Sequence, residues 1–334
     1  MSNNPAMKQD REQGFIFPDA STHRRRPGIP GTRDRDVPHS SPTPKIPIQP
    51  GGALMRRCDL NRDGQSVHPE LLSGLSAMAF ATALKRGYFD LLYQPRVDMY
   101  TGLVVGVEAS PVWEPQGQTT IRDAALIAMA ERLGCRADME RWGVQAVCLQ
   151  AAAWHRANLR AGPISFPCAG WPYRNAHLAA TAETLLHSRE FQSHSVHLEW
   201  NERALDREAA RADFSLHSAQ PCGVAIVLHD VSTALANLSR IRALRLNAVI
   251  LSPSLIRQLQ RCPTHAETVR HIIGIGQALE LTVIAQGIDN FAQAGTMLRL
   301  GCRIAQGQAY APAMTAAQLS QWMEVNSEND AGPR

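Results

Sequence analysis

From His68 onward, short runs of β-branched and other apolar residues alternate with longer runs whose apolar residues fall at helical spacing. Leu71, Leu72, Leu75, Met78, Ala79, Thr82 and Leu84 recur on one helical face, and the pattern stops at Gly87. Residues 91–97 then read as a strand and Tyr100-Thr101-Gly102 as a turn. Leu103-Val104-Val105 opens a second strand that carries Glu108 and turns at Pro111. Beyond it, helices are expected over 121–133, 138–158, 175–188, a stretch after Asn201, 233–244, 267–279, 291–298 and 316–325. Between them lie strands at 164–168, 196–200, 223–228, 248–251, 282–285 and 302–305. Strands that are apolar throughout, rather than alternately, are buried on both faces. Seven or eight strand–helix units in about 250 residues therefore predict an α/β fold, a (β/α)8 TIM-like barrel with an opening antiparallel strand. A doubly wound open sheet is the alternative. It would carry a glycine-rich phosphate turn after its first strand, and none is present.

The flanks have a different composition. Residues 1–66 hold Pro, Arg, Ser, Asp and Gly with few large apolar side chains, and cannot offset the entropy of ordering. A disordered tail over 1–66, a barrel domain over 67–326 and a disordered C-terminus over 327–334 follow. Arg24-Arg25-Arg26, the one dense basic cluster, reads as solvated linker charge. The formal net charge is +4, and much of the excess lies in the tail. The barrel is thus near neutral and shows no basic stripe with interleaved aromatics, so no nucleic-acid partner is expected. The longest apolar runs are broken by charge, and no basic segment leads into an apolar core at the N-terminus, so neither a membrane span nor a leader is expected. Seven scattered cysteines without a CxxC pair read as free thiols in a reducing cytoplasm.

Chemistry in such a barrel sits at the C-terminal ends of the strands. In order, those ends are Glu108, Pro167-Cys168, Glu199 followed by Glu202, His229-Asp230, Ile250-Leu251-Ser252, Gln286 and Gln306-Gly307. An acid at the end of a buried strand is costly unless it binds something. Polar or acidic residues recur at five of these ends, which points to one site rather than to scattered salt bridges.

These landmarks carry a family resemblance. Tyr93-Gln94-Pro95-Arg96-Val97-Asp98, Thr101-Gly102, Val107-Glu108-Ala109, Trp113, Ala151-Ala152-Ala153-Trp154, Leu198-Glu199, Ala285-Gln286-Gly287-Ile288-Asp289 and Leu300-Gly301-Cys302 through Gln306-Gly307 stand in the order and spacing of the EAL domain. Active members of that family hydrolyse cyclic di-GMP with divalent metals. The resemblance implies that Glu108 and Glu199 stand where metal-binding glutamates stand, and Glu202 where a second acid follows. His229-Asp230 takes the place of paired aspartates, Pro167 of a metal-binding Asn, Ile250 of the catalytic Lys, Ser252 of an Asp and Gln286 of a further metal-site Glu. Ser110 and Val112 replace a Leu and a nucleotide-contacting Arg. A nucleotide pocket, by the same resemblance, would involve Gln94, Glu202, Asp289 and Gln306.

Two-metal hydrolysis needs carboxylates that neutralise two dications, and hard ions such as Mg²⁺ tolerate little error in geometry. The catalytic set is therefore not intact: Glu108, Glu199 and Asp230 remain, while Pro167, His229, Ile250 and Gln286 have lost the family's groups. The expectation is a degenerate EAL-like regulator that acts through a protein partner in bacterial cyclic di-GMP signalling, with no cofactor. Mg²⁺ or Mn²⁺ would matter only with retained activity. A cyclic di-GMP receptor of weak affinity and a residual phosphodiesterase stay open, as does a homodimer. A rebuilt metal site of Glu108, Glu199, His229 and Asp230 also stays open, since a mixed imidazole–carboxylate set suits Zn²⁺ or Mn²⁺. The alternative is that His229 hydrogen-bonds one of these acids.

Overall fold

The computed structural model describes residues 76–115, 120–168, 195–201, 224–231, 246–259 and 263–328. Helix α1 (Ala77–Lys85) is capped by Ser76, whose hydroxyl accepts the Ala79 N–H at 3.2 Å, and leads into β1 (Phe89–Asp98). The chain reverses into β2 (Val104–Trp113), which pairs antiparallel with β1 from Phe89↔Trp113 to Val97↔Val104. Asp98 shapes this reversal: its carboxylate accepts the N–H groups of Tyr100 at 2.9 Å and Thr101 at 3.3 Å, and it pairs with Arg303.

The chain continues through β3 (Ile121–Arg122), α2 (Asp123–Arg132), α3 (Arg136–Arg156), β4 (Ile164–Cys168), β5 (Val196–Asn201), β6 (Val224–Val231) and β7 (Ala248–Leu251). It ends with α4 (Pro253–Leu259), α5 (Pro263–Ala278), β8 (Thr282–Gln286), α6 (Phe291–Arg299), β9 (Ile304–Gln306) and α7 (Ala316–Glu328). From β2, strands β4 to β9 follow side by side and parallel, each paired with the next. β1 then lies antiparallel between β2 and β9, closing a barrel of eight strands, with β3 a two-residue addition on β2. The opening antiparallel strand is as expected.

The two faces of the barrel wall differ. Val107, Phe166, Leu198, Trp200, Leu228, Val249 and Leu251 belong to the large core shared with the helices. Val227, Ala248, Ile250 and Ile284, on the opposite parity, form a separate small cluster within the barrel. Outside the barrel, Phe80, Phe89 and Trp113 build a second aromatic core, with Phe89 and Trp113 stacked at 5.1 Å. Helix α3 lies close to β4 because residue 143 is Gly: a Cβ there would stand 2.0 Å from Phe166 Cζ. Gly143→Ala must push the helix or the ring away, and we expect a loss of about 1–3 kcal/mol, read from urea unfolding.

The differences from the expected elements have physical reasons. The chain does not turn at Pro111, which lies within β2 opposite Leu91. β2 meets β4 only at Val107 and Glu108, and β3 only at Val112 and Trp113, so Pro111 falls in the gap between the two ladders, where its missing N–H costs nothing. Helix α4 was not anticipated, although Ser252-Pro253 is a capping pair, with Ser252 Oγ accepting the Leu255 N–H at 3.3 Å. α7 runs to Glu328, two residues past the expected domain boundary of 326. The tail over 1–66 and the helices expected at 175–188, after Asn201 and at 233–244 lie outside the described residues. Among the described residues, no helix is long and apolar enough to cross a membrane, and Cys135, Cys148, Cys168 and Cys302 are free and buried.

Candidate functional site

The strand register fixes which side chains share the interior. Gln94, Glu108 and Ser165 stand in one row, and Pro167, Glu199 and Val227 in another. Alternation then places Arg96, two residues after Gln94, on the same side. Arg96 is buried, and all three of its nitrogens are engaged: Nε donates to Gln306 Oε1 at 2.9 Å, one terminal amino group to Ser165 Oγ, and the other to Glu199 Oε1. Ser165 passes its own proton to the Val107 carbonyl at 3.4 Å. Gln306 Nε2 donates to Gln94 Oε1 at 2.9 Å and to Glu108 Oε2, and Gln94 in turn donates to the Ala311 carbonyl at 2.9 Å. Gln286 Nε2 adds a second amide to Glu108 Oε2 at 2.9 Å. One connected network thus spans β1, β2, β4, β5, β8 and β9, as buried polar groups require.

The two acids of this network titrate in opposite directions. Burial, then the charge of Glu199, pushes the Glu108 carboxyl up to about 7, against the pull of Arg96 and of the Gln306 amide. Burial would also push Glu199 up, but the charges of Arg96 and His229, with the hydrogen bond from Arg96, hold it below the usual carboxylate range. The structure therefore brings Glu108, Glu199, Gln94, Gln286 and Gln306 together, with His229 near Glu199.

Asp230 does not join them. Strand β6 extends past Leu228, its expected end, to Val231, and the register with β7 slips between Leu228↔Val249 and Val231↔Leu251. Two residues, His229 and Asp230, thus oppose Ile250 alone in a β-bulge, with Asp230 exposed at φ 62°. Asp289 is also exposed; its backbone N–H donates to Gln293 Oε1 at 2.7 Å. Glu202 lies outside the described residues. Pro167 pairs in register with Glu199, and Ile250 has no exposed surface.

A divalent metal would need several of these acids turned to one point. Glu199 Oε1 takes the guanidinium and Glu108 Oε2 takes two amides, so one oxygen of each acid is held by a protein donor. Among the described residues, no three His, Cys, Asp or Glu side chains gather as a metal site. The set Glu108, Glu199, His229 and Asp230 is not brought together here, because the bulge leaves Asp230 outside. As arranged, these residues do not fit a metal ion. Sequence reasoning missed the roles of Arg96 and Ser165. The available signal was parity: a cation two residues after Gln94, on the interior face of a buried strand, must meet an acid.

A family model for the EAL domain matches residues 77–313. Among curated proteins, the chain is 25% identical over 249 residues to the cyclic di-GMP phosphodiesterase PA2567 of Pseudomonas aeruginosa, a match covering 75% of this chain and 42% of that protein. It is 24% identical over 248 residues to the oxygen sensor protein DosP of Escherichia coli, covering 73% of this chain and 31% of that protein. The chain thus spans less than half the length of either relative. Among solved structures, the PaMucR phosphodiesterase in complex with cyclic di-GMP superposes with a TM-score of 0.67 at 26% identity, covering 75% of this chain and 99% of that one. The FimX EAL domain of P. aeruginosa, bound to the same nucleotide, superposes at 0.62 with 14% identity, covering 71% and 96%. With the family model matching most of the chain and the closed barrel present, this protein belongs to the EAL domain family.

Proposed function

We propose that this chain is a degenerate EAL-domain regulator of bacterial cyclic di-GMP-linked signalling that works in the cytoplasm by holding a protein partner, without hydrolysing the nucleotide. The observation that carries this reading is at the end of β7. There the family resemblance calls for a catalytic Lys, and the residue is Ile250, fully buried and packed with Val227, Ala248 and Ile284. Phosphodiester hydrolysis needs positive charge at the attacking water or the leaving oxygen. An alkyl group supplies none, and the residues it packs on are apolar as well. Loss of one such group costs roughly two or more orders of magnitude in rate, and Pro167 at the end of β4 and Gln286 at the end of β8 are further departures of the same kind.

The runner-up reading is a nucleotide receptor. What supports it is the polar half of the barrel interior, where Gln94 and Gln306 carry amides, together with relatives solved in complex with cyclic di-GMP. Calorimetry with cyclic di-GMP, with and without Mg²⁺ or Mn²⁺, is expected to give no heat at micromolar nucleotide, and a turnover assay no product above the blank. A micromolar or tighter Kd moves the assignment to receptor. Turnover that Glu108→Ala abolishes overturns both.

A further inference from the structure

Arg96 is 2% exposed and Glu199 1% exposed, yet a guanidinium does not give up its proton inside a protein. Such a charge persists in a barrel only where fixed acceptors and a counter-charge meet it. Here the acceptors come from three separate strands: Ser165 on β4, Glu199 on β5 and Gln306 on β9. The cluster Val227, Ala248, Ile250 and Ile284 on the other half of the interior is apolar; from that side only His229 adds to the pull on Glu199 among the described residues. By the family resemblance Glu199 is an acid that a divalent ion should neutralise, yet its Oε1 is taken by the guanidinium.

We infer that Arg96 is the barrel's resident cation: it holds the Glu199 carboxylate in place of a divalent metal, so that the interior is charge-balanced without one. A corollary concerns the space the guanidinium fills. Removing it leaves the oxygens of Glu199, Ser165 and Gln306 facing a vacancy, and hard dications take oxygen ligands. The metal site is therefore latent, and Arg96 occludes it. Nucleotide turnover plays no part in this, so it stands whether the protein proves a silent scaffold or a receptor.

Thermal unfolding of the full chain tests it, in EDTA and in millimolar Mn²⁺ or Mg²⁺. The parent protein should melt at the same temperature in all three. Arg96→Ala should melt roughly 10 °C lower in EDTA, a buried charge having lost its partner, and regain several degrees with metal. Arg96→Ala/Glu199→Gln should show no metal response. If Arg96→Ala does not fold, Arg96→Met/Glu199→Gln decides, since it should fold and melt near the parent. The inference is overturned by a metal-dependent rise in the parent that Glu199→Gln removes. It is equally overturned if Arg96→Ala melts with the parent, if metal fails to raise a folded Arg96→Ala, or if the Met/Gln pair does not fold.

Discussion

Glu199→Ala will destabilise the barrel by about 3–5 kcal/mol, more than truncating an exposed acid could, because it removes the one carboxylate that pairs directly with the buried Arg96 guanidinium and leaves only the more distant Glu108 to answer its charge. An ion pair at the surface contributes about 0–1 kcal/mol, since water screens each charge and receives it when the partner is lost. Inside the barrel neither remedy exists. Urea unfolding at constant m-value reads the difference directly. A loss below about 1 kcal/mol would mean that water reaches the guanidinium, and the pair would then be an ordinary surface contact. Replacing both partners by apolar groups of similar volume, as in Arg96→Met/Glu199→Leu, should recover most of the loss, because a desolvated pair gains little over hydrocarbon.

The second large effect is a dependence on pH that resides in Glu108. Its carboxyl titrates at about 7 in the folded protein against an ordinary value of 4.5, chiefly through burial and next through the charge of Glu199. Between those values the native state holds a proton that the unfolded chain has released. Stability must therefore fall as pH rises from about 4.5 to about 7, then level off. Discounted for the partial exposure of Glu108, the span is about 1–3 kcal/mol. Glu199 acts the other way: its carboxyl is held low, so its contribution is full above its unfolded value and is lost as pH falls through the folded one. Glu108→Gln keeps an oxygen for the Gln286 and Gln306 amides and removes the titration. Thermal melts from pH 5 to 8 should show the parent losing stability relative to this variant up to neutrality, with the variant ahead at pH 8. Parallel profiles would place the Glu108 titration elsewhere.

The barrel was legible in the sequence because each strand is a short apolar run between longer runs of helical spacing, a pattern that needs no knowledge of what touches what. Glu108 and Glu199 were legible for the same reason, since an acid closing an apolar run stands out. The partners of these acids were not. Arg96 and Glu199 lie 103 positions apart, and Gln306 and Glu108 lie 198 apart, so only closure of the barrel brings them together. The bulge at His229-Asp230 was hidden too. A one-residue excess of β6 over β7 is a relation between two strands, and neither strand shows it alone. Its effect is large, for it separates Asp230 from the acids with which the resemblance groups it.

The reversed first strand has a consequence for how this protein is made. β1 pairs at once with β2, but its other edge waits for Ile304 and Ala305 on β9, and Arg96 waits for Gln306, 210 positions later. At about 5–20 residues per second, a ribosome takes roughly 10–40 s to cover that distance. Until then the chain holds an unsealed sheet with a guanidinium facing inward, so chaperones have their longest opportunity before the C-terminal strand emerges.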